Sequence, residues 1–344
     1  MTTAALPRTA LEVRLASVPE GLPEPRHFTL ARTPLTAPEP GQVLVRNRHF
    51  LVFPGLRTLI GGRTEGLPLP SIAAGEALFG PAVGEVVAVA GDGPLRVGDP
   101  VVHMAGWRDL ALLPAAQVAP ADPALPSPVA HLAQGSAAYG ALTRPAPVRP
   151  GDVVLVSGAA GAVGSLAGQI ARLLGAATVI GTTRSPHKAD RLVRELGYDR
   201  VLVDGPGQPS FTDRLREAAP DGLDVILDTV GGAQLSAALG AARHGARAAL
   251  VGALAGQLAA GGSGAAAPAA IDTFHLVLRG ISLQGSSGAD HPDVEAEWTG
   301  RFGAWLRAGA IRFPYTEIEG MRRAASALPE LIAGRHFGAV VVRL

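Results

Sequence analysis

The chain contains no cysteine, and that absence removes disulfides, thiolate metal sites, cysteine nucleophiles and thiol redox switching together. Any redox chemistry must therefore belong to a bound cofactor. Charge is scarce as well: Asp, Glu, Lys and Arg make up 17% of residues and the formal net charge is +1. No basic stripe is advertised, so nucleic acid is not an expected partner. No apolar run reaches the 18 or so residues of a membrane span, and the N-terminus has none of signal-peptide length. The expectation is a cytoplasmic protein without membrane contact. Aromatics are 4%, and Lys188 is the single lysine among 30 basic residues. A composition rich in Arg, Ala and Gly reflects codon bias, which gives the surviving lysine more weight than any one arginine.

What is present is enough apolar residue, 47% of 344, to bury two cores at about 100 to 200 residues per domain. Two textures alternate. Up to about residue 130, Pro and Gly punctuate short runs at 42–45, 83–89 and 100–103, with turns at Pro40-Gly41 and Val97-Gly98-Asp99; this predicts a small barrel. From Pro150 the pattern becomes strand, turn, helix. Strands are expected at 153–157, 178–183, 200–204, 224–228, 246–251 and 281–285, with helices to residue 174 and at 185–196, 210–219 and 233–242. That alternation predicts an α/β fold with a parallel, doubly wound sheet. A helix at 294–308 carries Trp298, Phe302 and Trp305 at packing intervals. A tail with a strand at 312–318, a helix at 321–333 and a strand at 338–343 is expected to return to the first domain. Residues 254–270 are nearly all Gly, Ala and Pro, and read either as an active-site lid or as a spacer.

The strand at 153–157 runs into Gly158-Ala159-Ala160-Gly161-Ala162-Val163-Gly164 and then a helix. In a dinucleotide fold one glycine makes the tight turn, a second lets the backbone approach the pyrophosphate, and a third lets helix and strand pack closely. Ala159, Gly161 and Gly164 stand at these positions. At the end of the second strand an acid would mark a free ribose hydroxyl, yet the chain reads Arg184-Ser185-Pro186-His187-Lys188. Two cations at a helix start oppose the helix dipole unless an anion is near, so NADPH, with its 2′-phosphate, is the expected cofactor.

With these motifs the chain resembles the zinc-independent medium-chain dehydrogenase/reductase superfamily, in the branch of prostaglandin reductase (leukotriene 12-hydroxydehydrogenase) and curcumin-type double-bond reductases. The matching segments span nearly the whole chain: Pro19-Glu20-Gly21, Gly41 to Asn47, Val97-Gly98-Asp99, Gly106-Trp107, Ala160 to Ser165, Gly168 to Ala171, Asp228 with Val230-Gly231-Gly232, and Ile318 to Met321. The resemblance implies a GroES-like β-barrel domain, residues 1–132 and 309–344, and a Rossmann domain, 133–308, in a homodimer. It implies cofactor contacts from Ala160, Gly161, Ala162, Val163 and Gly164, from Arg184, Ser185 and Lys188, from Gly252, Ala253 and Leu254 after the fifth strand, and from Ser286 after the sixth. No metal is implied. Where a zinc alcohol dehydrogenase resembles Gly-His-Glu, this chain has Ala74-Gly75-Glu76, and its nine histidines show no paired spacing.

The departures fall elsewhere. The family's Asp-Pro-Tyr-Met-Arg appears as Phe53-Pro54-Gly55-Leu56-Arg57, which makes Phe53 and Arg57 the candidate substrate contacts. The family's Asn-Tyr pair after the third strand reads Val203-Asp204, an acid beside the phosphate site. An Asn-x-Gly-Lys pattern becomes His336-Phe337-Gly338-Ala339, passing a cofactor contact to His336. Tyr139 matches the family's Thr-Ala-Tyr segment and is either a hydrogen-bond donor to carbonyl or ribose or a buried structural tyrosine; water or a ribose hydroxyl is the alternative proton source. The expected activity is metal-independent, NADPH-dependent hydride transfer to the double bond of an α,β-unsaturated carbonyl compound or to a quinone. A pathway-specific reductase of one natural-product enone or imine, and a cofactor binder with weak or lost catalysis, are the alternatives.

Overall fold

The computed structural model describes residues 7–62, 69–205, 207–261 and 264–344. Its first sheet is anchored by Gln42–Val52, a strand buried on both faces through Val43, Leu44 and Val45 and again through Phe50, Leu51 and Val52. The strand extends well past residue 45. Its second half pairs with residues 340–343, returning from the far end of the chain, and that long-range pairing leaves no local mark. Seven strands make up this sheet: Tyr315–Glu319, Ala339–Arg343, Gln42–Val52, Ala82–Val89, Pro100–His103 and Ala119–Pro120 in order, with Leu110–Pro114 paired to Gln42–Val52. An antiparallel hairpin of Thr9–Leu15 and Phe28–Pro34 sits beside it. The core under this half includes Phe50, Leu56, Ile60, Trp107, Leu328 and Val340. Side chains of this size contribute about 1.5 to 3 kcal/mol each when fully buried.

The second sheet is six-stranded and parallel, ordered Arg200–Val203, Thr178–Thr183, Val153–Val156, Leu223–Asp228, Ala242–Leu250 and Ser282–Gly285. This is the doubly wound arrangement, with Val153–Val156 and Leu223–Asp228 at its centre. Strands buried on both faces read as continuous apolar runs, as Val154, Leu155 and Val156 do. The fifth strand begins at Ala242, four residues before the expected 246, because Ala242 already pairs with Leu223 across a bulge. Between the fifth and sixth strands lie two helices the sequence pattern did not show, Leu254–Gln257 and Thr273–Arg279. The second is capped by Asp272, whose carboxylate accepts from the Phe274 and His275 amides.

Helix Asp293–Arg307 packs Trp298 against Phe302, ring centroids 4.4 Å apart, and lays both on Gly135–Thr143. These aromatics are core packing. Among the described residues no helix is long and apolar enough to cross a membrane.

Candidate active site

The glycine loop opens at the carboxyl end of Val153–Val156. Gly158 takes φ +60°, and a Cβ there would stand 2.6 Å from Thr229 Oγ1, so the tight turn falls on Gly158 and not on Ala159. Ala159 is buried and its amide donates to the Thr182 carbonyl at 2.9 Å. Gly164 begins the helix Gly164–Leu173. A Cβ there would lie 2.5 Å from the Gly158 carbonyl oxygen and 2.6 Å from Ala159 Cα, the close helix-to-strand approach expected of the third glycine. Gly161 faces the opening.

Below the loop, buried Asp228 fixes the neighbouring strand end. It accepts from Ser157 Oγ at 2.6 Å and from the Gly231 amide at 2.7 Å. Burial pushes its carboxyl above the ordinary range, and these hydrogen bonds pull the other way. Thr182 Oγ1 donates to Gln234 Oε1 at 2.9 Å, and Gln234 Nε2 donates to Asp204 at 2.7 Å. The acid at the end of the third strand is thereby hydrogen-bonded within the protein.

These elements wall a cleft of about 410 Å³. Its walls include Ala160 to Gly164, Arg184, Ser185, Lys188, Gly252, Ala253, Leu254, His336 and Phe53, which the sequence had named, and the structure brings these together. Ser185 caps the helix Pro186–Leu196, its hydroxyl accepting from the Lys188 amide. Lys188 Nζ donates to the carbonyls of Gly334, at 2.6 Å, and of His336, while Arg184 Nη2 reaches the Ile332 carbonyl. Burial, and then Arg184, hold the Lys188 ammonium below its ordinary range. His336 lies 3.2 Å from the Glu330 carboxylate, and its imidazole is held below the usual range chiefly by burial. A cation pair on the Rossmann half thus grips the strap 332–336 that belongs to the returning tail. Two cations and a hydroxyl at a helix start, facing the cleft with the nearby acid already bonded to Gln234, fit the 2′-phosphate of NADPH.

Three expected contacts lie elsewhere. Tyr139 is not at the cleft: its hydroxyl donates to Glu297, and its ring packs on Trp298 and Trp305 at 6.0 and 6.2 Å. Its phenol is pushed up to about 12, by burial first and Glu297 second. The structural alternative for this tyrosine is the one the geometry supports. Arg57 is fully buried behind Phe53, in the one-turn helix Leu56–Leu59, with its stem near Gly264. Ser286 lies past the sixth strand, its amide donating to the Leu250 carbonyl at 2.8 Å, outside the cleft lining.

The far end of the cleft is apolar, walled by Val52, Phe53, Pro54, Leu254, Leu258 and Val340. Phe53 lies between Gly55 and Gly80, where an added Cβ would come within 3.0 and 3.1 Å of its ring. Three lining glutamines escaped the sequence reading: Gln134, Gln234 and Gln257. For Gln257 a signal existed, since it is the one long polar side chain in the Gly- and Ala-rich run 254–270.

Residues 12–121 match the model of an N-terminal domain of oxidoreductase and residues 162–301 that of a zinc-binding dehydrogenase, although this chain has no cysteine. A putative NADP-dependent oxidoreductase, YfmJ, of Bacillus subtilis (strain 168) is 30% identical across 97% of both chains. An NADPH-dependent curcumin reductase of Escherichia coli (strain K12) is 28% identical over 96% of this chain and 95% of its own. The crystal structure of CurA in complex with NADPH from Vibrio vulnificus superposes with a TM-score of 0.86 at 26% identity, covering 97% of this chain and 98% of that one. Loop, sheet order and full-length similarity agree, and the chain belongs to the curcumin and prostaglandin reductase branch of the medium-chain dehydrogenase/reductase superfamily.

Proposed function

We propose that this protein is an NADPH-dependent, metal-independent reductase of activated double bonds, acting on α,β-unsaturated carbonyl compounds or on quinones by the same hydride step. The observation that carries this reading is a single cleft with two unlike ends, a glycine loop beside Arg184 and Lys188 at one and an apolar wall at Phe53 at the other. The named activities of the relatives support it: the E. coli relative reduces curcumin with NADPH, and the Vibrio structure is of a complex with NADPH.

Bound here, NADPH supplies the hydride. The chain's own residues position and exclude. The backbone of 160–164, at a helix start, suits the pyrophosphate; Arg184, Ser185, Lys188 and His336 suit the ribose phosphate; Gly252 to Leu254 line the way to the apolar end, where Phe53 and its neighbours keep water from the reacting carbon. Among the described residues no side chain lining that end is acidic, and water or the ribose hydroxyl serves as the proton source.

Two further assignments belong to the same proposal. The domains divide as 1–132 with 309–344, holding the seven-stranded sheet, and 133–308, holding the six-stranded one. The protein works as a cytoplasmic homodimer, supported by Phe274, Val277 and Leu278, exposed on Thr273–Arg279 beside the edge strand Ser282–Gly285. The deciding experiment follows NADPH oxidation with a panel of enones and quinones. Turnover of several enones is expected; tight NADPH binding with no turnover of any member overturns the activity.

A further inference from the structure

The polar side chains of the cleft are nearly all engaged within the protein. Thr182 and Gln234 form a relay to Asp204, Thr229 Oγ1 donates to the Ser157 carbonyl at 2.9 Å, and the cations hold the strap 332–336. Among the described residues the lining side chains of Gln134 and Gln257 make no hydrogen bond, and His336 Nε2 has only the Glu330 carboxylate at 3.2 Å. Gln134 precedes the helix Gly135–Thr143, next to Leu132, which packs in one cluster with Ala162 of the glycine loop and also with Phe53. Gln257 lies between Leu254 and Leu258, and Leu258 packs in one cluster with Phe53.

We propose that the side-chain amide of Gln257 donates the hydrogen bond that holds the substrate's carbonyl oxygen, an assignment that rests on the reductase reading above. Its placement is firm. Gly256 is buried with its Cα against the Ala266 carbonyl, and Gly264 comes close to the Gln257 backbone while its own carbonyl accepts from Thr58 Oγ1 at 3.1 Å. Thr58 belongs to the same one-turn helix that follows Phe53. A Rossmann segment and a barrel segment are thus locked together, with Gln257 on one side and Phe53 on the other. The Gln257 side chain is half-buried, so its amide stands open to the cleft beside apolar walls, where a substrate carbonyl oxygen can accept from it.

The chemistry asks for such a donor. Hydride adds to the β-carbon, the alkene electron pair shifts toward the carbonyl oxygen, and a proton from water completes the α-carbon. Negative charge develops on the oxygen, so a fixed N–H there strengthens as the reaction proceeds. Gln257 itself is unchanged. Being neutral, it holds the oxygen without adding an ionisation of its own to the pH profile.

The test compares wild type, Gln257→Leu and Gln257→Glu with NADPH and methyl vinyl ketone, alongside fluorescence titration of NADPH binding. In Gln257→Leu kcat is expected to fall about 100-fold, the scale of losing one oxyanion donor, with NADPH affinity within about twofold. In Gln257→Glu turnover should be low at neutral pH and rise on acidification, because only the protonated carboxyl donates. A Leu variant within about threefold of wild type in kcat, or one whose NADPH affinity falls as far as its kcat, overturns the assignment. Wild type that binds NADPH and reduces no enone instead overturns the reductase reading, before any variant is needed.

Discussion

The two ends of the cleft are built from opposite materials. At the cofactor end the surface is main chain and charge: a glycine turn, a helix start, and Arg184 and Lys188 reaching over to carbonyls of the strap 332–336. At the substrate end it is apolar side chain gathered from 52–55, 254–258 and 340. The first kind of surface tolerates few residue types at fixed spacing, because an added Cβ or a lost charge is felt at once. The second tolerates many, since any apolar group of suitable volume fills it. On the proposed reading, one end therefore fixes the cofactor and the other leaves the substrate open to variation.

The comparison breaks most sharply at the cations. Changing Arg184 and Lys188 to Ala removes two charge-assisted contacts of about 1.5 to 3 kcal/mol each, so the Michaelis constant for NADPH should rise about 100-fold or more while that for NADH stays nearly constant. Initial-rate kinetics with both cofactors decide it. Both cations also grip the strap, and an equal loss with NADPH and NADH would mean that closing the two halves together, rather than phosphate recognition, is their work.

Within the glycine loop the same contrast appears between neighbours. Gly164→Ala drives a methyl into the backbone of Gly158 and Ala159 at 2.5 and 2.6 Å, a clash without a flexible partner to yield, and should cost about 3 kcal/mol of stability. Gly161→Ala meets only the Gly158 carbonyl oxygen, at 3.4 Å. It should leave the melting temperature nearly unchanged and weaken NADPH binding. Thermal melting of both variants, with cofactor titration of the second, reads this directly.

What the sequence made legible follows the same division. The parallel sheet and the meeting of the glycine loop with Lys188 on one cleft were readable because each is a local pattern with a physical requirement at a fixed offset. The second half of Gln42–Val52 was not, since its partner lies near residue 340. Tyr139 was misplaced for a related reason: motif position put it near the cleft, while its hydroxyl points to Glu297 on a helix over 150 residues away in sequence. Arg57 stood next to a true lining residue, Phe53, but a one-turn helix rotates it into the core. Gln257 drew no notice because its run was read as a whole, either as an active-site lid or as a spacer, and not residue by residue.

The two halves also differ in how acid should act on them. In the barrel half His103 is buried, its Nδ1 accepting from the Ala105 amide at 3.0 Å, and burial, with Arg108 adding to it, lowers its pKa to about 4. The unfolded chain regains a pKa near 6.5 and binds the proton the folded state refuses. Stability is therefore full above about 6.5 and falls as pH drops toward 4, by about 2 kcal/mol between pH 7 and pH 5. In the Rossmann half the raised carboxyl of Asp228 has the opposite sign, favouring the folded state as pH falls through its titration. His103→Asn, which keeps an acceptor for Ala105, should remove about 2 kcal/mol of the stability lost between pH 7 and pH 5 in chemical denaturation, leaving the part carried by other histidines that burial lowers, such as His336.

The smallest expected effect separates the two hydrogen-bond donors that motif and geometry nominate for catalysis. Tyr139 spends its hydroxyl on Glu297, which also pairs with Arg144 at 2.9 Å and with Arg301 at 3.2 Å. This cluster ties Gly135–Thr143 to Asp293–Arg307 on the side away from the cleft. Tyr139→Phe keeps the ring against Trp298 and Trp305 and loses one hydrogen bond, a cost of about 1 kcal/mol. The melting temperature should fall by a few degrees, and kcat with an enone should remain within about threefold of wild type. A loss in kcat on the scale expected of Gln257→Leu, with stability unchanged, would return the carbonyl to Tyr139 and show that the helix rotates on binding cofactor.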